Sequence, residues 1–207
     1  MGSLASAKHE RQPWSYWLLS DALPPETCEA LRTLPIAPAA IDDTLGKRET
    51  NNATRVHFSP ELQARFPVCR QVAEMLQDPV TISQLERTCG TSLKGALLRI
   101  EYCQDQEGFW LEPHTDIGAK LFTMLIYLSD GPGSERWGTD IYDQQQRHVG
   151  TAPYKANAGL IFVPGNDTWH GFERRNIDGV RRMIMVNYVK PEWRDRHQLA
   201  FPDQPVG

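Results

Sequence analysis

The sequence predicts an antiparallel β core with helices packed on one side of it. Two observations carry this reading. After residue 91 the chain becomes a series of short segments rich in β-branched, aliphatic and aromatic residues, separated by turn signals such as DGPGS and NIDGV. Those segments do not alternate with helical ones, which argues against a doubly wound parallel sheet. The 207 residues suffice for one ordinary domain with a real core and are short for two. The expected division is a mainly helical part over residues 14–90, a β core over 91–190 and a polar surface tail over 191–207.

Each element has a local reason. Pro24 and Pro25 lead into ETCEALRTL, a short helix with Leu31 and Leu34 turned inward. Residues 37–57 read as polar loop. Ser59-Pro60-Glu61 starts a helix, with a capping hydroxyl, a proline at the first position and an acid near the positive dipole end. Pro67 interrupts that helix, and Val72, Met75 and Leu76 carry it on. Thr81-Ile82-Ser83-Gln84 reads as a capping box, and Gly90 closes the helix it starts. The expected strands are SLKGALLRIEYC, LFTMLIYL, GTDIYD, GLIFV and RRMIMVNYV.

Composition removes several function classes. The formal net charge is -4, so no electrostatic case exists for nucleic acid or an anionic membrane surface. No apolar run has the length of a transmembrane helix. The stretch around Trp14 to Leu19 is too short and too polar for a secretory signal, and the expected location is the cytoplasm. None of Cys28, Cys69, Cys89 and Cys103 forms a C-x-x-C pair, so buried free thiols in a reducing compartment explain them better than a zinc or redox site. Nothing in the sequence reports an oligomeric state.

The chemistry gathers around EPHTDIGAK. His114 and Asp116 are good metal ligands separated by one residue, and on a strand positions i and i+2 share a face. A third ligand must come from elsewhere. His170 fits, because it follows the apolar strand and Pro-Gly turn of GLIFVPGNDTWHGF and precedes a glycine that permits close approach. His57 reads as a loop histidine, His148 as an exposed hairpin residue, and His9 and His197 as parts of polar terminal segments. Two histidines and one carboxylate form a facial triad, a set that suits oxygen-activating iron(II). A zinc hydrolase is the competing reading, and no H-E-x-x-H helix supports it. Arg181 opens RRMIMVNYV, and an arginine entering a β core calls for an anion. A dicarboxylic cosubstrate supplies one, because guanidinium pairs with carboxylate in bidentate fashion.

The spacing H-x-D, then His, then Arg on the next strand resembles the iron(II)- and 2-oxoglutarate-dependent dioxygenases, in particular their prolyl-hydroxylase-like branch. LFTMLIYLSDGPGSERWGTDIYD and GLIFVPGNDTWHGFE resemble the corresponding stretches of that branch, over roughly residues 93–190. The resemblance implies a double-stranded β-helix, or jelly-roll, with the metal at its open mouth. It implies iron ligands at His114, Asp116 and His170, and Arg181 on the far carboxylate of 2-oxoglutarate, with Arg182 as the alternative. Tyr102 matches a tyrosine beside the cosubstrate, and Tyr127 and Thr123 match positions lining its pocket. The implied reaction consumes O2 and 2-oxoglutarate, releases succinate and CO2, and hydroxylates an unactivated C–H bond, with ascorbate as a candidate reductant. Asp116, where glycine or alanine would leave room for a halide, favours hydroxylation over halogenation.

Substrate choice resides in loops, which sequence reads poorly. Trp110 and Trp137 flank the metal segment and are candidates for the substrate mouth, with cover of a barrel edge as the competing role. Asn52 and Arg55 sit in a polar stretch that would serve as a lid or as ordinary loop. The compact size leans toward a small-molecule substrate such as an amino acid, a sugar or a natural-product intermediate. A protein side chain is the alternative, as is a jelly-roll module that binds a ligand without turnover.

Overall fold

The computed structural model describes residues 2–40, 44–49 and 55–207. In chain order the elements are α1 (Gly2–Ala5), β1 (Lys8–Glu10), β2 (Tyr16–Leu19), α2 (Pro25–Arg32), β3 (Val56–His57), α3 (Pro60–Arg65), α4 (Pro67–Gln77) and α5 (Pro79–Cys89). They continue as β4 (Leu97–Asp105), β5 (Leu111–His114), β6 (Lys120–Tyr127), β7 (Asp140–Tyr142), β8 (His148–Thr151), β9 (Gly159–Phe162), β10 (His170–Phe172) and β11 (Arg181–Val189). The strands form a larger sheet in the order β1-β2-β9-β6-β11-β4-β3 and a smaller one in the order β5-β10-β7-β8. Every pairing is antiparallel. This is the jelly-roll arrangement that the sequence led us to expect. No described helix is long and apolar enough to cross a membrane.

The larger sheet separates two apolar clusters. Ile100, Met124, Ile184 and Val186 face outward onto Leu31, Val72, Leu76 and Leu85 of the helices. Cys103, Leu125 and Met183 face inward onto Ile141 and Phe172 of the smaller sheet. Register explains the split. Arg181 lies opposite Asp105, Met183 opposite Cys103, Met185 opposite Glu101 and Asn187 opposite Arg99. Cross-strand partners share a face, so these eight side chains form one inward ladder.

Four expectations need correction. The first part of the chain is less helical than expected, because β2 pairs with β9 and β3 pairs with β4, adding strands to the larger sheet. These strands have only four and two residues, too short to register as periodic patterns. The helix expected to start at Thr81 starts at Pro79, because the Asp78 carboxylate accepts the N–H groups of Val80 and Thr81 and takes the cap. Gly90 does close it, at φ 64°. The C-terminal stretch is also no mere surface tail. Leu199, Ala200 and Val206 are buried, and Ala200 and Val206 donate N–H groups to the carbonyls of Leu98 and Ala96. Lastly, Asp116 lies beyond the end of β5, so strand pleating does not place it beside His114.

Candidate active site

His114, Asp116 and His170 meet at one point, their ligating atoms all within 4.8 Å of one another. Pairing of β10 with β5 sets His170 directly opposite His114, and the two rings lie 4.4 Å apart. Gly171 makes that pairing possible. A Cβ there would lie 3.0 Å from the Leu111 carbonyl and 3.1 Å from that of Glu112. Both imidazoles are fixed from behind. His114 Nδ1 is 2.8 Å from the Glu112 carbonyl and His170 Nδ1 is 2.9 Å from the Thr168 carbonyl. A ring nitrogen facing a carbonyl must carry the proton, so each Nε2 lone pair is left for a metal.

Asp116 is held by β6 rather than by its own strand. Thr123 donates its hydroxyl to Oδ2 at 2.6 Å, and Lys120 reaches Oδ1 at 2.5 Å. Asn187 donates in turn to the Thr123 oxygen at 2.9 Å. Burial alone would raise the Asp116 carboxyl, yet Lys120, His170 and the Thr123 hydrogen bond together hold it well below the usual carboxylate range. Burial pushes His170 down to about 4, helped by His114. Asp116 is therefore ionised and His170 neutral at neutral pH, the forms in which each can ligate a metal.

The triad opens on a cavity of about 420 Å³. One end is walled by Thr139, Met183 and Arg181. Arg181 is only 2% exposed, with its guanidinium carbon over the Phe172 ring at 4.4 Å. Its Nε donates to the Trp137 carbonyl at 2.7 Å and one Nη to Asp105 at 2.5 Å. The same Asp105 accepts from Arg48 at 3.1 Å. The other end of the cavity is polar, lined by Lys120, Arg99, Arg55, Gln198, Asp195 and Trp193. There Glu101 accepts from Arg99 at 2.9 Å and from Arg55 at 2.5 Å. Burial would raise the Glu101 carboxyl, but Arg99, Arg55 and Arg48 keep it below the usual range.

The remaining sequence candidates divide. Thr123 lines the cavity, though its hydroxyl is spent on Asp116. Arg55 lines it too, at the polar end. Tyr102 does not belong to the site. It points outward among the helices and donates to the Leu31 carbonyl at 3.0 Å, because its partner Ile184 is on the outer face. Tyr127 is fully buried one layer behind the wall, its hydroxyl 3.0 Å from that of Thr139, which itself faces the cavity. Trp137 is inner core, packed on Tyr154 and donating to the Asn176 carbonyl. Trp110 backs onto Gly46 and carries the Arg174 guanidinium at 4.6 Å, away from the cavity lining. Asn52 lies outside the described residues. Sequence reasoning missed Lys120, Arg99, Asn187, Thr139, Asp105 and Trp193, the last of which lines the cavity with the Arg99 guanidinium 5.5 Å from its ring.

No protein-family model matches the chain, and no curated protein matches it in sequence. Solved structures do match it in fold. A Pseudomonas putida prolyl-4-hydroxylase aligns with TM-score 0.57 at 10% identity, over 84% of this chain and 92% of its own. HygX from Streptomyces hygroscopicus, solved with nickel, 2-oxoglutarate and hygromycin B bound, aligns with TM-score 0.56 at 15% identity, over 86% and 85%. The non-heme α-ketoglutarate-dependent epimerase SnoN from nogalamycin biosynthesis aligns with TM-score 0.55 at 18% identity, over 93% and 83%. The chain thus has the fold these proteins share.

Proposed function

We propose that this protein is an iron(II)- and 2-oxoglutarate-dependent oxygenase that hydroxylates a C–H bond of a small, polar metabolite. One observation carries the reading: a His-Asp-His cluster with both imidazole tautomers fixed opens on a cavity whose far end holds a buried arginine. The donor set fits the metal, since two imidazoles and one carboxylate leave coordination positions for ligands. The buried guanidinium fits the far carboxylate of the cosubstrate. With iron(II) and O2 present, 2-oxoglutarate would be decarboxylated to succinate, and one oxygen atom would enter the substrate C–H bond.

The chain's own contributions follow from the geometry. His114 and His170 present Nε2, and Asp116 presents a carboxylate kept ionised by Lys120 and Thr123. Arg181 receives the distal carboxylate, with Thr139 beside it. Met183 and Leu125 line the stretch between and limit water there. The polar end of the cavity supports a small metabolite over a peptidyl proline. A proline ring offers nothing to Lys120, Arg99, Gln198 or Asp195, whereas an amino acid, a sugar or a decorated natural product offers hydrogen-bonding and charged groups.

The test uses heavy-isotope O2. The protein is incubated with iron(II), 2-oxoglutarate and a cell extract separated into small-molecule and protein fractions, and both are searched by mass spectrometry. Label in a small molecule is the expected result. Label on a polypeptide would move the reading to a protein hydroxylase. Absence of both label and succinate would favour a jelly-roll that binds its ligand without turnover.

A further inference from the structure

Resting on that reading, we propose that Arg48 is a second arm of the cosubstrate clamp and grips the distal carboxylate together with Arg181. Asp105 lies between the two guanidiniums, with Oδ1 3.1 Å from Arg48 and Oδ2 2.5 Å from Arg181. One carboxylate cannot neutralise two guanidiniums, so among the described residues one positive charge is left over in a buried place. Glu101 is no substitute. It stands 4.0 Å from Arg48 and is already bonded to Arg99 and Arg55. Arg48 Nε is buried and, among the described residues, has no hydrogen-bond partner. An unpaired buried N–H is costly, and a ligand oxygen in the adjoining cavity removes the cost.

The two arginines are also built alike. Arg48 lies on the Phe109 ring at 4.8 Å and Arg181 on the Phe172 ring at 4.4 Å, and the two rings are 5.7 Å apart. An aromatic ring beneath each guanidinium restricts both, so little conformational freedom remains to be lost on binding. The segment that bears Arg48 is fastened to the strand that bears His114. Glu112 donates its N–H to the Gly46 carbonyl at 2.9 Å, and Gly46, at φ 73°, is pressed so closely on Trp110 that a Cβ would lie 2.8 Å from the indole. Metal site and clamp therefore share one support, and a residue outside the β core completes the pocket.

The experiment measures binding without turnover. Protein loaded with nickel under nitrogen is titrated calorimetrically with 2-oxoglutarate and with 2-oxobutanoate, which has the 2-oxo acid end but no distal carboxylate. Arg48→Met is expected to weaken 2-oxoglutarate by about 10- to 100-fold, the range for a lost charged hydrogen bond. It should leave 2-oxobutanoate within about twofold, and Arg48→Lys should recover part of the loss. Equal weakening of both acids would show a merely structural role and overturn the proposal, as would unchanged 2-oxoglutarate binding. Binding of neither acid by the loaded wild-type protein would instead sink the oxygenase reading on which the proposal rests. A thermal melt of each variant separates loss of binding from loss of fold.

Discussion

Thr123 shows how a side chain that touches no substrate sets up the chemistry. Its hydroxyl accepts from Asn187 and donates to Asp116, so a single rotamer fixes the carboxylate. Thr123→Val keeps the shape and removes both bonds. Metal affinity should fall by about 10-fold or more, the usual cost of losing such a supporting bond, as read by competition with a chelator dye. The two neighbouring arginines of β11 make a sharper comparison. Arg181 faces the cavity, whereas Arg182 faces outward. Arg181→Met should raise the 2-oxoglutarate requirement by about 10- to 100-fold, and Arg182→Met should leave it nearly unchanged. The reverse order would show that the register has been misassigned. His57 gives a pH prediction. Arg99 donates to His57 Nε2 at 3.0 Å, which requires a neutral ring, and burial followed by Arg99 pushes the group down to about 3. The unfolded chain gains this proton below its ordinary value of 6.5, and the folded chain resists it until about 3. Stability should therefore fall as pH drops through that window, and His57→Gln should flatten the slope of Tm against pH.

At the scale of elements, the contact between β5 and β10 brings the two histidines together, and it depends on a missing side chain. Gly171→Ala would force the strands apart by a few tenths of an ångström, because a methyl group meets two backbone carbonyls that cannot turn aside. Weaker metal binding with a modest loss of Tm is the expected outcome, and unchanged metal affinity would show that the strands yield without moving His114. This site explains what the sequence made legible. His114, Asp116 and His170 stood out because few other roles suit those residue types at those places, and Gly171 beside His170 marked a close approach. Arg181 was readable as an arginine entering a β core, which calls for an anion, and the register then turned its alternative, Arg182, outward. Tyr102 was not, because its face depends on which residue of β11 it meets, and pairing across 82 residues leaves no local trace. Lys120 and Arg99 were equally hidden. A lysine at a strand start and an arginine in an apolar strand look like ordinary edge residues until the barrel closes around them.

For the whole molecule, the site is a bridge between two sheets. The smaller one supplies His114 and His170, and the larger one supplies Thr123, Arg99 and Arg181. Ligands that span them should stabilise the entire fold. At 100 times their dissociation constant a metal ion or 2-oxoglutarate contributes about 2.7 kcal/mol, which raises Tm by about 5–10 °C for a chain of this size. Calorimetric melts with nickel and 2-oxoglutarate should show the rise, and His170→Ala should abolish the metal part of it.

The larger sheet also dictates an order of assembly. Trp17 lies opposite His9 on one side and Ile161 on the other, so β2 has only the short β1 beside it until most of the β core has been made. His170 and Arg181 emerge later still. During synthesis the early helices have no finished sheet to cover, and His114 and Asp116 wait for His170. Contacts so distant along the chain make for slow folding, and an incomplete triad gives a metal little purchase on the nascent protein. On the proposed ligand set, metal loading should thus follow closure of the barrel instead of guiding its construction.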